Sequence, residues 1–243
     1  AVFSDAEPGS SASNVASSFE INLDTQLTVG TQIPLQVEFT DDNGFVEIVS
    51  ILLPIGIPGI DDPTGPDAGG YFCYDSQDLA YALAPEYNWI EIAPGLGSYN
   101  GTLVPLSDYG ENQEDITTVN LPFDFGFYGE DYNQVSICSN GYIALGAKQS
   151  ALFRNYPVPG PLGPSPMIAA FWDDLVMSRA GAPGQNGNVY TYFNVAEHYF
   201  VIEYHRFYNA YPPDPYYPDP PATPVPEQFQ IILYDAYYYG STD

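Results

Sequence analysis

The chain has 243 residues, with 31 acidic residues against 4 Lys and Arg, so its formal net charge is −27. With so few basic side chains, binding to the phosphate backbone of nucleic acids and to anionic membrane surfaces is excluded. Hydrophobic residues make up 45% of the chain and aromatic residues 16%, which excludes wholesale disorder and indicates a sizeable core. The longest apolar run, 45–60, is broken by a glutamate, prolines and glycines, so we expect no segment that spans a membrane.

Residues 1–57 contain only three segments with the apolar pattern of a β-strand. Residues 1–18 are small and polar, and we expect a linker or a frayed start there. The segment 19–57 contains too little sheet to stand alone, so it is interpreted as part of a β domain. Its strands, predicted from alternating or continuous apolar residues, lie at 19–23, 33–39 and 45–53.

Turn-forming residues at 58–70 mark the predicted domain boundary. Beyond it, short alternating strands without helices between them predict an all-β fold, a β-sandwich of jelly-roll type over 58–243. Asn140-Gly141 is the strongest hairpin signal, and Pro85 limits any helix at 80–86 to one turn. The predicted strands are 70–74, 87–92, 116–121, 123–128, 134–138, 142–145, 167–171, 189–193, 199–207 and 227–234.

A loop rich in Pro and Tyr at 209–227 interrupts this pattern. Its prolines exclude a central strand and predict an extended, polyproline-type conformation. Such a loop is a stiff surface connection, or a pre-ordered docking surface formed by Tyr211, Tyr216 and Tyr217.

We expect no enzymatic activity within these residues, because no catalytic motif of a known type occurs. The two histidines, His198 and His205, are seven residues apart on a predicted strand and would point to opposite faces. A metal site or a catalytic role shared by both histidines is therefore not expected.

Calcium is the one cofactor that the sequence suggests. Carboxylates follow one another closely around the boundary, and Ca²⁺ is bound by such oxygen ligands from short loops. Weaker candidates are the acidic loops at 108–115 and 173–174, and the alternative for every loop is a set of solvated turn and cap carboxylates. The candidate ligands at the boundary are Asp61, Asp62, Asp67, Asp75 and Asp78.

The two cysteines, Cys73 and Cys138, predict one disulfide in an oxidising compartment, with two buried free thiols as the alternative. Asn100 begins a glycosylation sequon, Asn-Gly-Thr. Trp89 and Trp172, with tyrosines of the Pro-rich loop, are candidates for a flat sugar-binding platform, although alternation in the Tyr-rich strands favours core positions for most aromatic residues.

Recurring Gly, Pro, aromatic and Asp motifs lie at 62–75, 87–92, 121–129, 138–143, 164–175 and 229–235. Together these motifs resemble a module of large secreted bacterial proteins. In such proteins the module follows a gingipain-type cysteine protease or subtilisin-like domain, often in chains exported by the type IX secretion pathway. The run 123–146, with Phe171-Trp172-Asp173, also resembles the nidogen-type extracellular domain.

These resemblances imply a non-catalytic, nidogen-like β-sandwich at a bacterial cell surface, preceded at 19–57 by strands of an immunoglobulin-like domain. They also imply that the chain is a piece of a longer polypeptide. We expect a structural or adhesive module that packs with neighbouring modules or with copies of itself. The alternatives are a carbohydrate-binding module and an accessory domain of a secreted protease.

Overall fold

The computed structural model describes residues 2–7, 9–24, 27–110, 113–179, 182, 184, 186–210 and 224–240. It divides into two compact units, Ala1–Tyr87 and Asn88–Asp243. The turn-rich segment 58–70, predicted as the boundary, thus belongs to the first unit. Among the described residues, no helix has both the length and the apolar character needed to cross a membrane.

The first unit contains a two-stranded antiparallel sheet formed by β1 (Gln32–Thr40) and β2 (Val46–Pro54). Its turn is closed by Asp41, whose Oδ1 accepts the backbone N–H groups of Asn43 at 2.9 Å and Phe45 at 2.8 Å. Both strands were predicted within one residue at each end. The strand predicted at 19–23 is absent, and these residues have no regular structure.

The described part of the second unit is built mainly from strands, which have 2 to 12 residues. They are β3 (Thr102–Val104), β4 (Ile116–Phe127), β5 (Glu130–Cys138), β6 (Tyr142–Leu145), β7 (Met167–Ile168), β8 (Leu175–Val176), β9 (Asn188–Asn194), β10 (Tyr199–Asn209) and β11 (Glu227–Tyr234). One helical turn, α1 (Ala236–Tyr239), follows β11 and is capped by Asp235.

Two sheets pack against each other in the second unit. One has the strand order β11-β10-β9-β3, with β8 also paired to β10, and the other has the order β4-β5-β6-β7. Their inner faces share one core, in which Ile137 and Ile143 of one sheet pack with Ile202 and Leu233 of the other. The predicted all-β sandwich is confirmed.

A buried tyrosine joins the two sheets through hydrogen bonds. The Tyr204 hydroxyl, on β10, lies 2.7 Å from the Cys138 carbonyl oxygen and 3.0 Å from the Tyr142 carbonyl oxygen. These carbonyls flank the turn between β5 and β6, where Gly141 adopts a φ of +78°. A Cβ at Gly141 would collide with the Phe171 carbonyl oxygen, so the predicted Asn-Gly turn is required both by backbone conformation and by packing.

Several predicted elements differ from the structure. Residues 87–92 form no strand, because side chains take the place of a neighbouring strand: the Gln230 amide bonds to both backbone groups of Ile90. Residues 80–86 form turns rather than helix, and 70–74 contribute a single bridge, Thr64 to Cys73. The strands predicted at 116–121 and 123–128 are one strand, β4, with an irregularity between Asn120 and Phe125.

Candidate functional site

The aspartates predicted to bind calcium mostly close turns of the first unit. Asp67 Oδ1 accepts the N–H groups of Gly69 at 2.8 Å and Tyr71 at 2.9 Å. Asp78, which is buried, accepts the N–H of Asp75 at 2.6 Å, and Asp75 in turn accepts that of Gln77 at 2.7 Å.

Asp62 accepts hydrogen bonds from the Gly59 N–H at 2.7 Å and from the Tyr81 hydroxyl at 2.5 Å, which lower the pKa of Asp62. Asp61 is exposed. Within the described chain, no three of the five aspartates bring carboxylate oxygens within 4.8 Å of one another. Calcium binding at this segment stays a prediction.

The predicted Cys73–Cys138 disulfide is absent from the structure, in which both cysteines are free thiols. Cys138 is fully buried against Tyr142, and this burial raises the pKa of its thiol to about 11. Cys73 is exposed, so the alternative of two buried thiols is also wrong for this residue.

The weaker acidic candidates of the second unit meet around the turn between β5 and β6. Ser139 Oγ donates to Asp108 at 2.5 Å, and the Asn140 amide donates to Glu114 at 2.5 Å. Burial, followed by repulsion from Asp108, raises the pKa of Asp174. Burial also raises the pKa values of Asp108 and Glu114, so three carboxylates share one partly buried region.

The histidines lie in separate environments, but His198 is not on a strand. It precedes β10 with a φ of +50°, contacts Asp235 at 3.1 Å and stacks on Tyr238 with a 4.0 Å centroid separation. His205 lies within β10, where its ring makes an edge contact with Tyr190.

The predicted aromatic platform is not formed by the tryptophans. Trp172 is buried, makes an edge-to-face contact with Tyr142 and donates its indole N–H to the Leu152 carbonyl oxygen. Trp89 is half-buried and donates to Glu91 at 3.2 Å. Asn100 is exposed, and its glycosylation stays a prediction. The remaining platform residues, Tyr211, Tyr216 and Tyr217, lie outside the described residues.

Three side chains of types that bind metal ions lie together in the second unit. Glu203 and His205 are on β10, and Glu91 comes from the segment 88–93 that precedes β3. One ligand atom from each residue lies within 4.8 Å of those from the other two. Because Glu203 and His205 are two residues apart on a strand, they share a face, a signal that was present in the sequence.

Burial controls the electrostatics of this cluster. It raises the pKa of Glu203 to about 7, and the charge of Glu91 adds to this rise. Burial also lowers the pKa of His205. The cluster borders an open cleft of about 480 Å³ lined by His205, Arg206, Tyr190 and Asn188.

The β1–β2 sheet of the first unit carries an exposed apolar surface. Ile33, Leu35 and Val37 on β1 lie opposite Leu53, Ile51 and Val49 on β2, so one face is apolar across both strands. The other face of β2 carries Val46, Ile48 and Leu52, all of them exposed. β2 therefore has apolar side chains on both faces, a pattern typical of strands covered on both sides.

A family model described as "NIDO related" matches residues 95–237, more than half of the chain. The chain belongs to the NIDO-related family. This family suggests an extracellular module, in agreement with the nidogen-type resemblance of the sequence. No curated protein and no solved structure gives a significant match. The protease and type IX secretion context stays a prediction.

Proposed function

We propose that this protein is a non-catalytic structural module of the cell exterior that assembles with copies of itself through the β1–β2 sheet. The observation that carries this proposal is β2, an edge strand whose side chains remain apolar and exposed on both faces. In it, Ile48 is 57% exposed, Ile51 49% and Leu52 62%. A long, exposed, apolar edge strand is a template for pairing with another chain.

The distribution of charge favours this sheet as the point of contact between copies. Two chains with a net charge of −27 repel each other over most of their surfaces. In β2, Glu47 is the single charged residue, and β1 likewise carries one, Glu38. Contact at this sheet therefore brings few carboxylates together, and added salt is expected to strengthen the association by screening the remainder.

The two alternative functions receive less support from the described residues. A carbohydrate-binding module needs aromatic side chains exposed in a row, whereas Trp172 is buried and Trp89 half-buried. A role as an accessory domain of a secreted protease depends on neighbouring domains, and nothing in the geometry of either unit favours it.

Sedimentation velocity of the full chain, over a range of concentrations at low salt and at about 1 M salt, tests the proposal. At the higher salt the Debye length is about 3 Å, so repulsion between copies is largely screened. We expect oligomers whose population grows with concentration and salt. A chain that remains monomeric under all these conditions would overturn the proposal.

A pair of double variants locates the contact. Ile48→Lys with Leu52→Lys adds charge to β2 at exposed positions, and we expect it to leave the chain folded and monomeric. Leu103→Lys with Val195→Lys adds the same charge at exposed positions of the second unit, where Val195 is 71% exposed. The control should assemble like the unaltered protein. Equal loss of assembly in both double variants would exclude β2 as the contact.

A further inference from the structure

The cluster of Glu91, Glu203 and His205 contains buried polar atoms without hydrogen-bond partners. Glu203 Oε1 and His205 Nδ1 are both buried and have no hydrogen-bond partner, and they lie 3.3 Å apart, an ion-pair distance when the imidazole is protonated. The Glu203 side chain is completely buried, and that of His205 is 12% exposed. Buried polar atoms are nearly always satisfied, and a metal ion bound by both atoms would satisfy this pair.

The other oxygen atoms of the cluster are already held in place. Glu203 Oε2 accepts the backbone N–H of Ile92 and the Gln230 amide, each at 3.1 Å. These two bonds fix the orientation of the carboxylate, and both of them go to Oε2 rather than to Oε1. Such support from neighbouring hydrogen bonds is typical of metal-ligating carboxylates.

Glu91 is oriented in a similar way. Its Oε1 accepts the Ala93 N–H at 2.9 Å, and its Oε2 accepts the Trp89 indole N–H at 3.2 Å. Each carboxylate oxygen has room to accept a second bond, so either can also act as a ligand. The segment 88–93 thus brings a second negative charge to the buried face of β10.

We propose that Glu91, Glu203 and His205 bind a first-row divalent transition-metal ion, for which Zn²⁺ is the best match. Two carboxylates neutralise the charge of a dication, and a neutral imidazole nitrogen favours Zn²⁺ over Ca²⁺, which prefers oxygen ligands. Three protein ligands leave a further coordination position. Of the three proposed ligands, His205 lines the cleft described above, as does Arg206.

Isothermal titration of the chelator-treated full chain with Zn²⁺ tests this proposal, in excess Mg²⁺ to saturate weak carboxylate sites. We expect one tightly bound Zn²⁺ per chain, a higher melting temperature and a change in Trp89 emission, since its indole bonds to Glu91. Co²⁺ in place of Zn²⁺ should give the intense visible absorption of a four- or five-coordinate ion. Absence of tight uptake would show that protons alone occupy the cluster, and would overturn the proposal.

Matched variants assign the ligands. His205→Gln and Glu203→Gln should each weaken Zn²⁺ binding by more than about 100-fold. His198→Gln and Glu130→Gln, which alter residues outside the cluster, should leave it unchanged. Circular dichroism verifies the fold of each variant. Should a cluster variant fail to fold, the Co²⁺ spectrum of the unaltered chain still decides, because an aqueous, six-coordinate spectrum contradicts the proposed ligands.

Discussion

Both units contain strands rich in apolar residues, but they bury these residues to different extents. In the second unit, Ile202 of β10 is completely buried because another sheet covers it. In the first unit, Ile48 and Leu52 of β2 remain exposed on a two-stranded sheet. Alternation of apolar residues therefore predicts a strand, whereas burial depends on a second layer. In the first unit, we propose that another copy of the chain supplies it.

The largest effect on stability is expected for Gly141→Ala, in the closed second unit. The substitution places a Cβ against the Phe171 carbonyl oxygen at a positive φ, and should cost about 3 kcal/mol or more of unfolding free energy. Urea unfolding followed by tryptophan fluorescence measures this effect, because Trp89 and Trp172 both belong to the second unit.

Gly44→Ala is the matched control in the first unit. Gly44 also has a positive φ, but its added Cβ would meet no atom within 4 Å. The expected cost is about 1 kcal/mol, confined to the first unit and invisible to tryptophan fluorescence. Equal effects of the two substitutions on the fluorescence transition would contradict the distinction between the units.

Tyr204→Phe should have the next largest effect, by removing the hydroxyl that joins the two sheets. Two buried carbonyl oxygens would lose this donor, at an expected cost of about 1–3 kcal/mol in the same urea measurement. Tyr109→Phe, at a position 48% exposed, serves as the control and should change stability little. An unchanged unfolding midpoint for Tyr204→Phe would mean that this link does not contribute.

A smaller effect is expected from pH. Burial raises the pKa values of Asp108, Glu114 and Asp174 in the folded chain. Between the ordinary and the raised pKa values, the folded chain therefore holds protons that the unfolded chain has released. Stability from these groups is full below their ordinary pKa values near 4, and is lost as the pH rises through the raised values. Unfolding in chelator from pH 4 upward should show this decline.

The Asp108→Asn variant should flatten the decline, because it removes one of the three carboxylates. Asp124→Asn, which alters an exposed position on β4, should leave the decline intact. An identical decline in Asp108→Asn and in the unaltered chain would contradict the raised pKa assigned to Asp108.

The smallest expected effect concerns the reactivity of the two cysteines, one in each unit, which thiol labelling compares. Cys73 is exposed, whereas Cys138 is buried with a pKa raised to about 11. A thiol reagent should therefore modify one cysteine per native chain and two after unfolding. Two unreactive cysteines under native conditions would instead support the disulfide that the structure lacks.

Local signals predicted much of the fold. Strands at 142–145 and 227–234 have the predicted bounds, since Asn140-Gly141 directly precedes the first and Pro226 directly precedes the second. The segment 87–92 was predicted as a strand from the same alternation. Its backbone instead bonds to the side chains of Gln230 and Glu203, more than 100 residues away, and such partners leave no local signal.

The candidate metal site was missed for a related reason. The pair Glu203 and His205 could be recognised from the strand period, but two ligands alone do not define a site. Glu91 completes the cluster from a distant segment, and only the tertiary structure brings it there. Conversely, four of the five aspartates close in sequence around the predicted boundary accept backbone N–H groups of nearby residues, because Asp readily caps the turns in which it lies.

Hydrogen exchange of β2 as a function of protein concentration tests the central claim most directly. If copies pair through this edge, the amides of Val46–Pro54 should become more protected as the concentration rises, with no change for Tyr199–Asn209 of β10. Protection of β2 that is independent of concentration, in a sample shown to contain oligomers, would place the contact elsewhere and contradict the account.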